Sequence, residues 1–224
     1  MVQHFVHQTA PFVERHDPGR RNKMLKVIAF DCDGVMFDTQ KANREYYNRL
    51  LSYFGYPPLT PGQFDYIQVN TVERSIAHLF SPTELRAVNQ YRREMGYLRF
   101  IDYMEIEPDL KTLLKGLRRK YKTAVATNRT DTMDKVLEAF ALTGLFDLVV
   151  TALDVSNPKP APDCLESIFK TFQAAPSEVM YIGDSLLDQQ AARAAGTQFV
   201  AFDNQDLDAD RHIRSFKELF YLFT

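Results

Sequence analysis

Two carboxylates one residue apart, Asp31 and Asp33, end the short apolar run Val27-Ile28-Ala29-Phe30, and Gly34 follows them. Two acids this close repel each other unless a cation or a shared proton intervenes, so the pair reads as a metal site or an acid/base pair. Asp33-Gly34 taken alone is an ordinary turn pair. A calcium loop also opens Asp-x-Asp, but it needs Asp or Asn at its fifth position and Gly at its sixth. Val35 and Met36 hold those places, and a strand rather than a helix leads in, which excludes that loop. Three later stretches carry further chemistry. Thr127-Asn128 offers a hydroxyl and an amide, Asn157-Pro158-Lys159-Pro160-Ala161-Pro162-Asp163 presents one lysine on a proline-stiffened loop, and Gly183-Asp184-Ser185 leads to Asp188. Alone, these read as a helix cap, a surface lysine and a loop. Together, each just after a strand, they read as one site.

The elements that would position them follow from periodicity. Val27–Phe30 is a continuous apolar run, the pattern of a strand buried on both faces. Strands are predicted at 122–127, 147–151, 179–182 and 197–202, with helices at 109–120, 131–141, 163–172, 187–195 and 215–222 between and after them. The last helix is given a capping box of Ser215 and Glu218. Strand-helix alternation predicts an α/β fold, a parallel sheet covered by helices on both faces. Parallel strands bring their carboxyl ends to one edge, where ligands bind, so Asp31, Asp33, Thr127, Lys159, Asp184 and Asp188 would gather there. Residues 39–107 interrupt the alternation and read as mostly helical. Gln40–Phe54 has one apolar face of Ala42, Tyr46, Tyr47, Leu50, Leu51 and Phe54. A second helix is predicted from Ser81-Pro82-Thr83-Glu84, with Ser81 and Glu84 as its capping box, to about Tyr103.

Composition sets the outer bounds. A chain of 224 residues, 45% hydrophobic and 25% charged, is long enough for one sizeable core with a smaller insert. A net charge of −2 offers no global field for nucleic acid or an anionic membrane. The insert carries eight Lys/Arg and eight Asp/Glu, so any attraction it offers an anion is local. The two cysteines, Cys32 and Cys164, form no CxxC pair and are expected to be reduced thiols in a cytoplasmic protein. No apolar run approaches the ~20 residues of a membrane helix, and the first 23 residues lack the apolar centre of a secretory signal. They read as an extension, with the recognisable domain beginning at Met24.

On these residues the chain resembles the haloacid dehalogenase superfamily hydrolases, in their phosphoglycolate phosphatase and β-phosphoglucomutase branch. Asp31-Cys32-Asp33-Gly34-Val35 with Phe37-Asp38-Thr39 matches the first family motif, Thr127-Asn128 the second, Lys159 in Lys-Pro-Ala-Pro-Asp the third, and Gly183-Asp184-Ser185 with Asp188 the fourth. The resemblance runs from about Met24 to Phe202. It implies a Rossmann-like core of 24–38 and 108–224 with a helical cap of 39–107 inserted. The dehalogenases proper lack the second aspartate of the first motif, so Asp33 turns the expectation towards phosphoryl transfer.

The implied activity is a Mg²⁺-dependent phosphatase of a small phosphorylated metabolite. The resemblance makes Asp31 the nucleophile that forms an aspartyl-phosphate and Asp33 the acid/base. It gives Mg²⁺ to Asp31, the backbone carbonyl of Asp33, Asp184 and Asp188, the last directly or through water. Thr127, the backbone amide of Asn128 and Lys159 would hold the phosphoryl oxygens, a role that suits their chemistry. The insert would act as a lid, with Lys41, Arg44, Asn70 and Arg74 as candidate substrate contacts. The chain is expected to act as a monomer or homodimer, without nucleic acid or membrane. A sugar phosphomutase using the same intermediate, and a non-catalytic phospholigand or interaction module, are the alternatives.

Overall fold

The computed structural model describes residues 24–68 and 70–223; the expected amino-terminal extension, residues 1–23, lies outside the described residues. In chain order the elements are β1 (Val27–Phe30), β2 (Phe37–Asp38), α1 (Gln40–Tyr53), α2 (Pro61–Gln68), α3 (Val72–Leu79), α4 (Leu85–Met95), a 3-10 helix (Leu98–Tyr103) and β3 (Glu105–Ile106). There follow α5 (Leu110–Leu117), β4 (Lys122–Ala126), α6 (Met133–Ala139), β5 (Leu148–Val150), α7 (Asp163–Phe172), a 3-10 turn (Pro176–Glu178), β6 (Val179–Gly183), α8 (Leu186–Ala195), β7 (Gln198–Phe202), β8 (Arg211–Ile213) and α9 (Phe216–Phe223).

The expected parallel α/β sheet is present. Six strands run in the order β5-β4-β1-β6-β7-β8, and every pairing is parallel. All four residues of β1 are fully buried, as a central strand covered on both faces requires. Side chains alternate across the pleat. Val27 and Ala29 join Ala124, Tyr181, Cys164, Leu165 and Ala191, the layer made with α7 and α8. Ile28 and Phe30 join Val125, Ile182, Leu113, Leu114 and Phe216, the layer made with α5 and α9. This second layer continues without a break into the helical insert, through Met36 and Phe37 to Tyr46, Tyr47, Leu50 and Phe100. Where the insert leaves and re-enters the sheet domain, β2 and β3 pair antiparallel, Phe37 with Ile106 and Asp38 with Glu105.

Several expected boundaries are corrected. The helix predicted to run from Ser81 to Tyr103 is two pieces. Glu84 does reach back to accept from the Ser81 backbone N–H at 2.9 Å, but the Ser81 hydroxyl donates to the same carboxylate at 2.6 Å instead of capping, and the helix starts only at Leu85. It ends at Gly96, whose φ of 62° leaves the helical region, and a 3-10 segment follows. At the carboxyl end, Glu218 accepts from the Arg214 backbone N–H rather than from Ser215. Strand β8 was not predicted. Arg-His-Ile carries one buried apolar residue, too little for a pattern, and β8 is an edge strand. No described helix is long and apolar enough to cross a membrane.

Candidate active site

Strands β4, β1 and β6 are neighbours, with Phe30 paired to Val125 on one side and to Ile182 on the other. At about 4.8 Å between strands, the residues that follow them emerge along one edge. Asp31, Asp184 and Asp188 each offer a carboxylate oxygen there, all within 4.8 Å of one another. Asp188 is the third residue of α8, and the cap of that helix fixes it. Ser185 Oγ accepts from the Asp188 N–H, while Asp188 Oδ2 accepts from the Ser185 N–H at 3.0 Å and from its hydroxyl. Two glycines make room. A Cβ on Gly34, which has a φ of 80°, would lie 2.1 Å from Asp184 Oδ2, and one on Gly183 would lie 2.3 Å from the Asp188 Cβ.

One cation is buried among these acids. Lys159 Nζ lies 2.6 Å from Asp188 Oδ1, 2.7 Å from Asp31 Oδ1 and 3.0 Å from the Tyr181 hydroxyl. Its approach to Asp31 has the distance of an ion pair but not the direction of a hydrogen bond. Asp31 Oδ1 is therefore left buried without a hydrogen-bond partner. Asp188 is better served. Besides Lys159, its Oδ1 is 2.7 Å from the Tyr181 hydroxyl, whose proton the Ala126 carbonyl also attracts at 3.0 Å.

The electrostatics follow from this uneven division. Burial works to raise Asp188, but Lys159, Ser185 and Tyr181 outweigh it and hold the group below the usual carboxylate range. Burial pushes Asp31 up to about 7, with Asp188 adding to the rise and Lys159 opposing it. Burial and then the charges of Asp31 and Asp188 push Asp184 up to about 8. Lys159 itself is held charged, since its two carboxylates outweigh its burial. The site is short of positive charge at Asp31 and Asp184. A hard divalent cation fits that deficit: the donors are oxygens, the three carboxylates meet within 4.8 Å, and Asp31 Oδ1 is buried without a hydrogen-bond partner.

The remaining motif residues connect the loops. The Asn128 side chain brackets the Lys159 backbone, its Nδ2 donating to the Lys159 carbonyl at 2.9 Å and its Oδ1 accepting from the Lys159 N–H at 2.8 Å. Thr127 is buried, and its Oγ1 accepts from the Arg129 N–H at 3.1 Å. The Asp33 side chain is not part of the acidic cluster. Both its oxygens accept from Arg129, Oδ1 from Nη2 and Oδ2 from Nε at 3.3 Å. The Asp33 side chain is thus committed to Arg129 and not to the three-carboxylate cluster.

Of the four candidate contacts in the insert, none is joined to the acidic cluster by a contact among the described residues. Lys41 pairs with Glu105 on β3, and Arg44 lies 3.7 Å from the centre of the Phe64 ring. Asn70 donates to the Tyr66 carbonyl at 2.9 Å. Arg74 is exposed in the first turn of α3, where its N–H meets the Thr71 cap. Two residues escaped sequence reasoning. Arg129 directly follows Thr127-Asn128, and a basic residue at that strand edge was its signal. Tyr181 shares the face of β6 with Val179, and a hydroxyl in so buried a strand has to find partners.

A parallel α/β sheet with a helical insert after its first strand, and a carboxylate cluster around one buried lysine at its carboxyl edge, defines a class of hydrolase. The sequence profile of the haloacid dehalogenase-like hydrolases matches residues 28–202, and the chain belongs to that family. Among similar proteins is a phosphoglycolate phosphatase of Chromobacterium violaceum, 28% identical over 223 residues, covering 89% of this chain and 97% of that protein. Another is the pyrophosphatase PpaX of Bacillus velezensis, 26% identical over 183 residues, covering 79% of this chain and 82% of the other. A crystal structure of a subfamily IA, variant 1 hydrolase of this superfamily from Geobacter sulfurreducens superposes with a TM-score of 0.79 at 32% identity, covering 89% of this chain and 97% of that one.

Proposed function

We propose that this hydrolase is a Mg²⁺-dependent phosphatase of a small phosphorylated metabolite, working through an aspartyl-phosphate on Asp31. The observation that carries the reading is the buried Asp31 carboxylate beside Lys159, in a cluster whose acids lack positive charge. The names borne by similar proteins, phosphoglycolate phosphatase and pyrophosphatase, support the same reaction type. Asp31, the Asp33 carbonyl and Asp184 would hold the cation, with Asp188 backing them through Lys159. The bound cation would supply positive charge to offset that of the phosphoryl group and the carboxylates.

In the first half-reaction a carboxylate oxygen of Asp31 forms a bond to phosphorus and the ester P–O bond breaks. Asp33 gives its proton to the departing alkoxide. In the second, Asp33 takes a proton from water, the water oxygen bonds to phosphorus and the Asp31–phosphorus bond breaks, releasing inorganic phosphate. Lys159, the Thr127 hydroxyl and the Asn128 backbone N–H stabilise charge on the transferring oxygens, which is most of what catalysis of phosphoryl transfer requires. The insert, 39–107, serves as the lid that excludes water.

The test is phosphate release from a panel of phosphorylated metabolites, with Mg²⁺ or with chelator. Release from a few members that stops with chelator is expected. Asp31→Asn is expected to abolish it, and Asp33→Asn to slow it by ~10²–10⁴-fold while Mg²⁺ binding, read by calorimetry, persists. An Asp31→Asn protein with full turnover would sink the mechanism, and a wild-type protein inert on the whole panel would sink the reading.

A further inference from the structure

In the structure the Asp33 carboxylate is held by a fork that the insert helps to build. Arg129 donates to both Asp33 oxygens, the paired geometry in which an arginine fixes a carboxylate's orientation as well as its charge. The guanidinium side chain is only 6% exposed, against 40% for Asp33, so the fork is rigid from behind and open at the carboxylate. Its surroundings come from both parts of the molecule. Thr132, before α6, accepts from Nη1 at 3.2 Å. From the insert side, the Tyr97 ring lies 5.0 Å from the guanidinium carbon, within cation–π range, and Met104 Sδ is 3.8 Å from Nη2. Tyr97 is anchored in turn, its hydroxyl donating to Asn43 Oδ1 of α1 at 2.9 Å. A continuous line of contacts thus runs from the insert helix α1 through Asn43, Tyr97 and Arg129 to Asp33.

We propose that Arg129 is the positioning residue of Asp33, and that Tyr97 makes this positioning depend on the seating of the insert. The inference rests on the phosphatase reading and deepens it. Arg129 meets Asp33 rather than Asp31 or Lys159, so its work lies in aiming the acid/base carboxylate, not in holding phosphate. A displacement of about 1 Å at a catalytic group is enough to cost ~10²-fold in rate. An arginine fork is also not replaced by a lysine, which offers a point charge without the paired donors.

The experiment compares Arg129→Gln, Arg129→Lys and Tyr97→Leu with wild type on two substrates, in the presence of Mg²⁺. One is p-nitrophenyl phosphate, whose leaving group departs as a stable anion and needs no proton. The other is the alkyl phosphate that wild type hydrolyses best, whose alkoxide needs the Asp33 proton. First-turnover release of each leaving group isolates the first half-reaction. Arg129→Gln is expected to slow the alkyl ester ~10- to 100-fold and the nitrophenyl ester by about twofold or less, with KM unchanged. Arg129→Lys is expected to fall between, and Tyr97→Leu to shift the ratio in the same direction by a smaller factor. Equal losses on both esters would make Arg129 a structural support. A raised KM at unchanged kcat would make it a substrate contact. Either result, or no change, overturns its positioning role. An unchanged ratio in a folded Tyr97→Leu protein overturns the link to the insert. An inactive wild type would overturn the phosphatase reading and this inference with it, whereas an active wild type with an unchanged Arg129→Gln overturns only the inference.

Discussion

At the scale of single residues, the site is an exercise in unequal shares of one positive charge. Lys159 and Tyr181 satisfy Asp188, and the deficit passes to Asp31 and Asp184, raised to about 7 and about 8 from an ordinary 3.8. Without a cation, burial makes both acids harder to ionise in the folded protein than in the unfolded chain. Their contribution to stability is greatest below the ordinary value and is lost as pH rises through 7 and 8. The opposite shift of Asp188 acts below about pH 5, outside that range. In chelator, the melting temperature is therefore expected to fall between roughly pH 5 and pH 8. Mg²⁺ should flatten the slope, and Asp184→Asn should shrink it; a chelated protein with a flat profile would contradict the division of charge. The acids and Lys159 were legible in the sequence because each follows a predicted strand, and parallel strands bring those ends to one edge. Tyr181 and Arg129 were not. A tyrosine in a strand and an arginine in a loop look ordinary until their partners are seen.

At the scale of elements, the site depends on how strands stop and helices start. The Ser185–Asp188 box begins α8 and aims Asp188 in the same stroke, so capping and charge placement are one device. Gly34 turns the chain after β1 so tightly that the space of its missing side chain belongs to Asp184. Gly34→Ala is expected to cost about 1–3 kcal/mol in urea unfolding. It should also weaken Mg²⁺ binding by calorimetry, because Asp184 has to move; an alanine variant that binds Mg²⁺ like wild type would show that Asp184 is not a ligand. Sequence periodicity found the long elements, whose apolar faces repeat several times. It missed β2, β3 and β8, each two or three residues long, because so few positions make no pattern. It also ran α4 past Gly96, where an apolar-rich sequence continues but the backbone cannot.

At the scale of the whole molecule, insert and sheet share one hydrophobic cluster, from Ile28 and Phe30 through Phe37 to Tyr46, Leu50 and Ile76. An insert on a thin linker would melt by itself. This one is expected to melt with the sheet, in a single calorimetric transition whose van't Hoff and calorimetric enthalpies agree; two resolved transitions would refute that. The sequence showed the alternation and the interruption in it, but the shared core is a matter of packing between distant segments, which periodicity does not report. The central place of β1 has a consequence for how the protein is made. Its partners begin at Lys122 and Val179, so the strand that leads into Asp31 leaves the ribosome early and waits for both. Until β6 emerges, Val-Ile-Ala-Phe is an apolar strand with an open edge, the feature that invites pairing with another nascent chain. The same connectivity that builds the site from distant segments leaves an apolar edge open in the unfinished chain.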